Sequence, residues 1–174
     1  MATKGKKFES EISKSLSALR KMRQIEYWSS NATSPICDHI IILPSGEGGP
    51  GTSILVEEKE THSDRFNFRA VSDNERKNLA AFRSVGCGAW VLIKRILGWE
   101  ATVYACPWGD WLALERETGY RHGERQTRGC ASFKISEQAE AGRLLSVPRR
   151  NREDAQGYSL GYYWDLSVIM EDAQ

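Results

Sequence analysis

Two short runs of branched apolar residues end in carboxylates, and that combination limits what this chain can fold into. The first is DHIIIL at 38–43 and the second SILVEEKE at 53–60. Both read as buried strands, being short, β-branched and almost wholly apolar. A charge entering such a strand is costly unless a metal or a partner neutralises it. Side chains alternate along a strand with period two, so Leu55, Glu57 and Lys59 share one face while Ile54, Val56 and Glu58 share the other. A register shifted by one residue instead makes Glu58 and Glu60 the inward pair and takes Lys59 out of the site.

Asp38 and Glu57, on adjacent strands, form an oxygen donor set suited to Mg²⁺ or Mn²⁺. The backbone carbonyl of Glu58 adds a metal ligand, because it lies between the two functional side chains. Glu9, in an N-terminal helix, reaches the metal directly or through water. Lys59 orients or deprotonates an attacking water, or stabilises a pentacovalent phosphorus transition state. Residue types alone do not choose among these roles. Taken singly, each group has an ordinary explanation. Glu9 is then a solvated helix carboxylate, Asp38 the end of a loop, and Glu57–Lys59 an exposed ion pair worth little. Neither His39 nor His62 sits in a paired ligand spacing, and both read as structural or DNA-contacting. Cys37 reads as a buried thiol rather than a nucleophile, since no histidine is placed to activate it.

Around these strands the pattern predicts an amphipathic helix over 5–22, with Phe8, Ile12, Leu16 and Leu19 on one face, and a short strand at 25–28. The segment 44–52 holds a formal G-x-G-x-x-G at Gly46, Gly48 and Gly51, but Pro50 interrupts it and a strand follows. The helix that a dinucleotide site needs is missing, so the glycines read as turn residues. Residues 61–71 read as a basic and aromatic loop. Ser72 and Glu75 form a capping-box pattern opening a helix to about 85. Strands follow at 88–96 and 101–106, then a short helix with Trp108 and Trp111 and a basic loop over 117–130. A helix from Ser136 to Leu145, a linker at 148–157 and an aromatic strand at 158–169 complete the reading. The expected architecture is α/β, with a central mixed sheet flanked by helices.

The chain of 174 residues suits one domain, and no run approaches the length of a membrane span. The four cysteines form no CxxC pair, so zinc and a disulfide framework are not expected, and a reduced cytoplasmic setting is. Net charge is only +1, but its distribution is uneven. Residues 1–23 hold seven basic against two acidic residues and residues 121–152 hold eight against three, each locally +5. Basic segments beside a carboxylate-lined site suit a polyanion, although solvated surfaces account for them as well.

The chain resembles the PD-(D/E)xK nucleases through its Asp38…Glu57-x-Lys59 core. From Lys4 to about Cys106 it is similar to the archaeal-type Holliday junction resolvases and their bacterial RecU relatives. The carrying stretches are KGKKFESEI with Glu9, the Asp38 strand, VEEKET at 56–61, and DNERKNLAAFRSVGCGAWVLIKRI. Departures are Cys37 where Pro commonly precedes the aspartate, and a longer segment after 107. The resemblance implies a restriction-endonuclease-like core over 1–106, with 107–174 as an extension packed on the same domain. It implies a homodimer that uses Mg²⁺ or Mn²⁺ to make paired symmetric nicks in branched DNA, the four-way junction, with no membrane partner. A two-fold dimer suits a two-fold symmetric junction. Implied DNA contacts are Lys4, Lys6, Lys7, Ser29 or Ser30 near the scissile phosphate, Arg65 and Arg69, with Phe66 and Phe68 either wedging near the crossover or packing in the core. The host cytoplasm is the expected setting if the gene belongs to a phage. The competing readings are another PD-(D/E)xK endonuclease of repair or restriction type, and a noncatalytic DNA-binding recombination accessory protein.

Overall fold

The computed structural model describes residues 4–21, 25–29, 37–44, 51–124, 131–153 and 159–171. Helix α1 (Lys4–Lys21) presents Phe8, Ile12, Leu16 and Leu19 on one stripe, and all four are buried, as their spacing predicts. Strands β1 (Glu26–Ser29), β2 (His39–Leu43) and β3 (Thr52–Thr61) follow as an antiparallel run. A short strand β4 (Arg65–Asn67) and a 3-10 turn (Phe68–Ala70) lead into α2 (Asp73–Ser84). The Ser72–Glu75 capping box is formed in both directions. This crossover returns the chain as β5 (Gly88–Leu97), parallel to β3, and β6 (Glu100–Pro107) turns back antiparallel.

Beyond it lie α3 (Trp108–Thr118), β7 (Ser132–Lys134), α4 (Ile135–Glu140), β8 (Leu145–Val147), β9 (Arg149–Glu153), β10 (Ser159–Trp164) and α5 (Ser167–Glu171). The main sheet has six strands in the order β1-β2-β3-β5-β6-β8, and β4–β7 and β9–β10 form two separate ribbons. The expected mixed α/β architecture is present. No helix among the described residues is long and apolar enough to cross a membrane.

Strand alternation sorts the core into two layers. Ile54, Val56, Trp90, Leu92, Val103 and Ala105 pack with α1, Trp164 and α5 on one face. Leu55, Val91, Ile93, Tyr104 and Cys106 pack with Leu79 of α2, with α3 and with the β4–β7 ribbon on the other. Strand β3 is therefore buried on both sides, which explains its continuous apolar run.

Several assignments differ from expectation. The loop expected at 61–71 contains β4, because Phe66 pairs with Phe133 across the ribbon. The helix expected from Ser136 to Leu145 is confined to Ile135–Glu140, and β8 then joins the edge of the sheet at β6. The linker expected at 148–157 contains β9, whose pairing with β10 needs no apolar alternation because the ribbon lies outside the main sheet. The aromatic strand expected at 158–169 stops at Trp164, and α5 follows. Within the glycine-rich 44–52 stretch, residues 45–50 lie outside the described residues.

A polar clamp joins α2 to α3. Arg76 donates from both Nη atoms to the Glu115 carboxylate at 2.5 and 2.7 Å, and Trp111 Nε1 donates to the same group at 2.8 Å. Removing Glu115 leaves a mostly buried guanidinium without its counter-ion. Glu115→Ala is expected to lower stability by about 3 kcal/mol. Urea unfolding checks this, with the midpoint falling and the slope unchanged.

Candidate metal centre and phosphodiester site

Past the end of β2, β3 runs on alone along that edge, and the site forms in the gap. The last paired residues are His39 and Val56, so the antiparallel register carries Asp38 to the level of Glu57. The Glu58 N–H donates to Asp38 Oδ2 at 2.6 Å. In a strand the N–H and C=O of one residue point to the same edge. The Glu58 carbonyl therefore also points to the edge that β2 has vacated, beside Asp38.

Glu57 and Lys59 share the α2 face, as period-two alternation requires, and Lys59 Nζ donates to Glu57 Oε1 at 2.6 Å. The alternative register, with Glu58 and Glu60 paired inward, is not the one adopted. Glu60 shares the α1 face with Glu58 and stands 3.2 Å from His62. Lys59 is held from a second direction by Glu75, at 3.1 Å. The same Glu75 oxygen accepts the Ser72 N–H at 2.8 Å, so the cap of α2 doubles as a clamp on Lys59. Glu75 was not among the expected site residues. The capping-box spacing revealed its local role, but nothing local in sequence places it against β3.

The Glu58 side chain turns to the opposite face, toward α1. It and Glu57 are only 7% and 3% exposed. Glu58 Oε1 stands 2.9 Å from His39 Nε2, and the far ring nitrogen, Nδ1, lies 3.0 Å from Ser29 Oγ. The closeness of His39 and Glu58 is not aligned as a hydrogen bond, and both Glu58 oxygens lack such a partner. Burial lowers the His39 pKa, against the pull of Asp38 and Glu9, and so favours the neutral ring. Glu9, exposed on α1, acts on this side, raising the pKa values of His39 and Glu58. The structure thus groups Asp38, Glu57, the Glu58 carbonyl and Lys59, and sets Glu9, the Glu58 carboxylate, His39 and Ser29 across the strand.

Electrostatics show what the site lacks. Burial, then Asp38, push the Glu57 carboxyl up to about 9, despite Lys59. Burial, Asp38 and Glu9 push Glu58 well above the carboxylate range. Burial pulls Lys59 down, but Glu57 and Glu75 outweigh it and hold the ammonium above its usual pKa. The Cys37 thiol is pushed up to about 12 by burial and the neighbouring carboxylates, so it is inert as a nucleophile.

With these carboxyls ionised, negative charge would exceed positive in a largely desolvated spot, and a cation would relieve it. The available donors are all oxygen, which fits a hard cation. Among the described residues no group of three or more His, Cys, Asp or Glu side chains encloses a metal. Mg²⁺ needs no such cage, since one or two carboxylates with waters and substrate phosphates hold it. The residues fit the ion through Asp38, Glu57 and the Glu58 carbonyl.

The expected DNA contacts divide. Lys7, Ser29, Arg65 and Arg69 are exposed. Phe66 and Phe68 do not reach DNA: both are buried in an aromatic cluster with Trp111, Phe133 and Tyr120, because alternation along β4 turns Phe66 inward and the 3-10 turn tucks Phe68 beneath it. Lys4 and Lys6 lie in α1, and Ser30 lies outside the described residues.

A folded-state pKa near 9 gives Glu57 a signed effect on stability. Its contribution is fully present below the unfolded carboxyl pKa and is lost as pH rises toward about 9. Without divalent metal, the stability difference between wild type and Glu57→Gln is expected to move in favour of the glutamine variant as pH rises from about 5 to about 9, with a slope no steeper than about 1.4 kcal/mol per pH unit. Added Mg²⁺ or Mn²⁺ should reduce that slope for the wild type alone. Chemical denaturation across the pH series measures both.

No family model and no curated protein matches the chain. Among solved structures it is similar to the 1.6 Å structure of Hjc from Archaeoglobus fulgidus, a Holliday junction resolvase from an archaeal hyperthermophile. The identity is 21%, over 79% of this chain and 97% of that one, with a TM-score of 0.43.

Proposed function

We propose that this chain is a divalent-metal-dependent endodeoxyribonuclease that nicks four-way DNA junctions in opposing strands, acting as a homodimer. The observation that supports hydrolysis is the buried Glu57 carboxyl beside the half-buried Asp38, with Lys59 clamped next to it. Junction selectivity and the dimer rest on the resemblance carried by the Lys4–Cys106 motifs and on the symmetry of the substrate.

When bound, Mg²⁺ or Mn²⁺ supplies polarisation of the scissile phosphate and activation of water. Asp38, Glu57 and the Glu58 carbonyl would hold the ion. The clamped position and raised pKa of Lys59 favour one of its candidate roles. That role is a fixed positive charge suited to the developing charge on the phosphate, in preference to a base. Glu75 positions the lysine. Across the strand, the neutral His39 bonds to the exposed Ser29 hydroxyl and lies 2.9 Å from the buried Glu58 carboxyl. Glu9 adds negative charge on that side.

On a synthetic junction, cleavage is expected to require Mg²⁺ or Mn²⁺ and to be abolished by EDTA. Asp38→Asn and Glu57→Gln should lose at least about 100-fold in cleavage rate while retaining junction binding. Lys59→Ala should lose about 100- to 1,000-fold. Linear duplex cut as fast as the junction sinks the junction assignment, and cleavage unchanged by EDTA sinks the metal mechanism.

A further inference from the structure

We infer that the outer face of the β4–β7 ribbon is a phosphate-gripping surface for the duplex arm that leaves the cleavage site, with Arg65 and Lys134 as its principal contacts. The inference rests on the proposed action on DNA and names the surface that holds the substrate.

In the ribbon, Arg65 pairs with Lys134, Phe66 with Phe133 and Asn67 with Ser132. Phe66 and Phe133 point inward to the aromatic cluster. Alternation then sends Arg65, Asn67, Ser132 and Lys134 outward together. All four are cations or neutral hydrogen-bonding groups, and none is an acid. Two cations directly opposite on adjacent strands repel one another. A fold tolerates such a pair readily where an anion lies between the two charges. Glu137 answers only one of them, through Lys134 Nζ at 2.6 Å, while Arg65 Nε rests on the uncharged Ser132 hydroxyl at 3.2 Å. That hydroxyl contact fixes the guanidinium and leaves its donors set for a planar or tetrahedral oxyanion.

The surface adjoins the site. Thr61 lies two residues beyond Lys59 on the same face of β3, and its hydroxyl donates to the Arg65 carbonyl at 3.4 Å. Two residues of strand span about 6.6 Å, so the ribbon begins within a nucleotide or so of the lysine. The support is rigid. The Ile135 N–H donates to the Asp64 carbonyl at 2.7 Å, and the Asp64 carboxylate takes Ser136 Oγ at 2.6 Å and Arg95 Nη1 at 2.7 Å. These bonds tie β7 and α4 to the turn between β3 and β4. They give the segment beyond 107 a part in substrate binding that Lys134 alone could not supply without that tether.

The test measures binding of the full chain to a labelled four-way junction and a labelled linear duplex by fluorescence anisotropy, without divalent metal, over a range of salt. Arg65→Gln/Lys134→Gln is expected to weaken both complexes more than about tenfold at low salt and to flatten the salt dependence by about one to two phosphate contacts. The charge-preserving Arg65→Lys/Lys134→Arg pair should keep the wild-type slope, and circular dichroism should show both variants folded. Should the glutamine pair misfold, Lys134→Glu alone carries the same expectation. Wild-type affinity and slope in the folded glutamine pair, or in Lys134→Glu, overturn the surface even if the enzyme cleaves. A wild type that binds through these residues yet cuts no junction in Mg²⁺ leaves the surface standing and removes the nuclease. A wild type that binds neither DNA overturns the surface.

Discussion

The structure depends on one strand that is buried on both faces and still carries two adjacent carboxylates. Strand β3 is central in the sheet and core side chains cover both of its faces, so Glu57 and Glu58 have no wet side to point to. Glu57 and Glu58 nonetheless occupy consecutive positions where β2 has ended. Alternation sends them to opposite layers, and each layer must answer its own charge. On the α2 side Lys59 does so in part, while Glu75, which holds the lysine, adds negative charge of its own. On the α1 side Glu58 faces a neutral histidine, and Lys94 on that side is already engaged by Glu11. Burial and Asp38 still push the Glu57 carboxyl up to about 9, so that answer is incomplete, and a hard cation would complete it.

This arrangement also explains the surrounding architecture. The parallel β3–β5 pair requires a crossover. The crossover supplies α2, whose N-terminal cap reaches back to Lys59. The helix start and Lys59 are thus fixed by one carboxylate, so an error in the cap displaces the lysine. Further along, the Asp64 turn binds Arg95 of β5 and Ser136 of α4, bringing the C-terminal third against the exit of β3.

Most of the main sheet was legible from local pattern. The α1 stripe, the β2 and β3 apolar runs, the α2 capping box and the β5–β6 hairpin each have a period or a punctuating residue that the structure repeats. The site core was legible for the same reason, because alternation alone separates Glu57 and Lys59 from Glu58. What escaped depends on distant partners. Glu75 is seen as a cap in sequence and becomes a clamp only when α2 packs on β3. Strand β9, RRNRE, has no apolar alternation because its ribbon stands apart from the sheet. Phe66 and Phe68 sit among charges in sequence, yet their partners Phe133 and Trp111 arrive from far along the chain. Glu9 matched a sequence context, but its helix places it on the Glu58 side of the strand.

The central claim is that the α2 face of β3, and not the α1 face, holds the cation. Calorimetric titration of Mn²⁺ into wild type, Glu57→Gln, Asp38→Asn and Glu58→Gln separates the two faces directly. The account predicts that binding is lost in Glu57→Gln and Asp38→Asn and kept in Glu58→Gln, whose backbone carbonyl is unchanged. Binding kept in Glu57→Gln and lost in Glu58→Gln would contradict it.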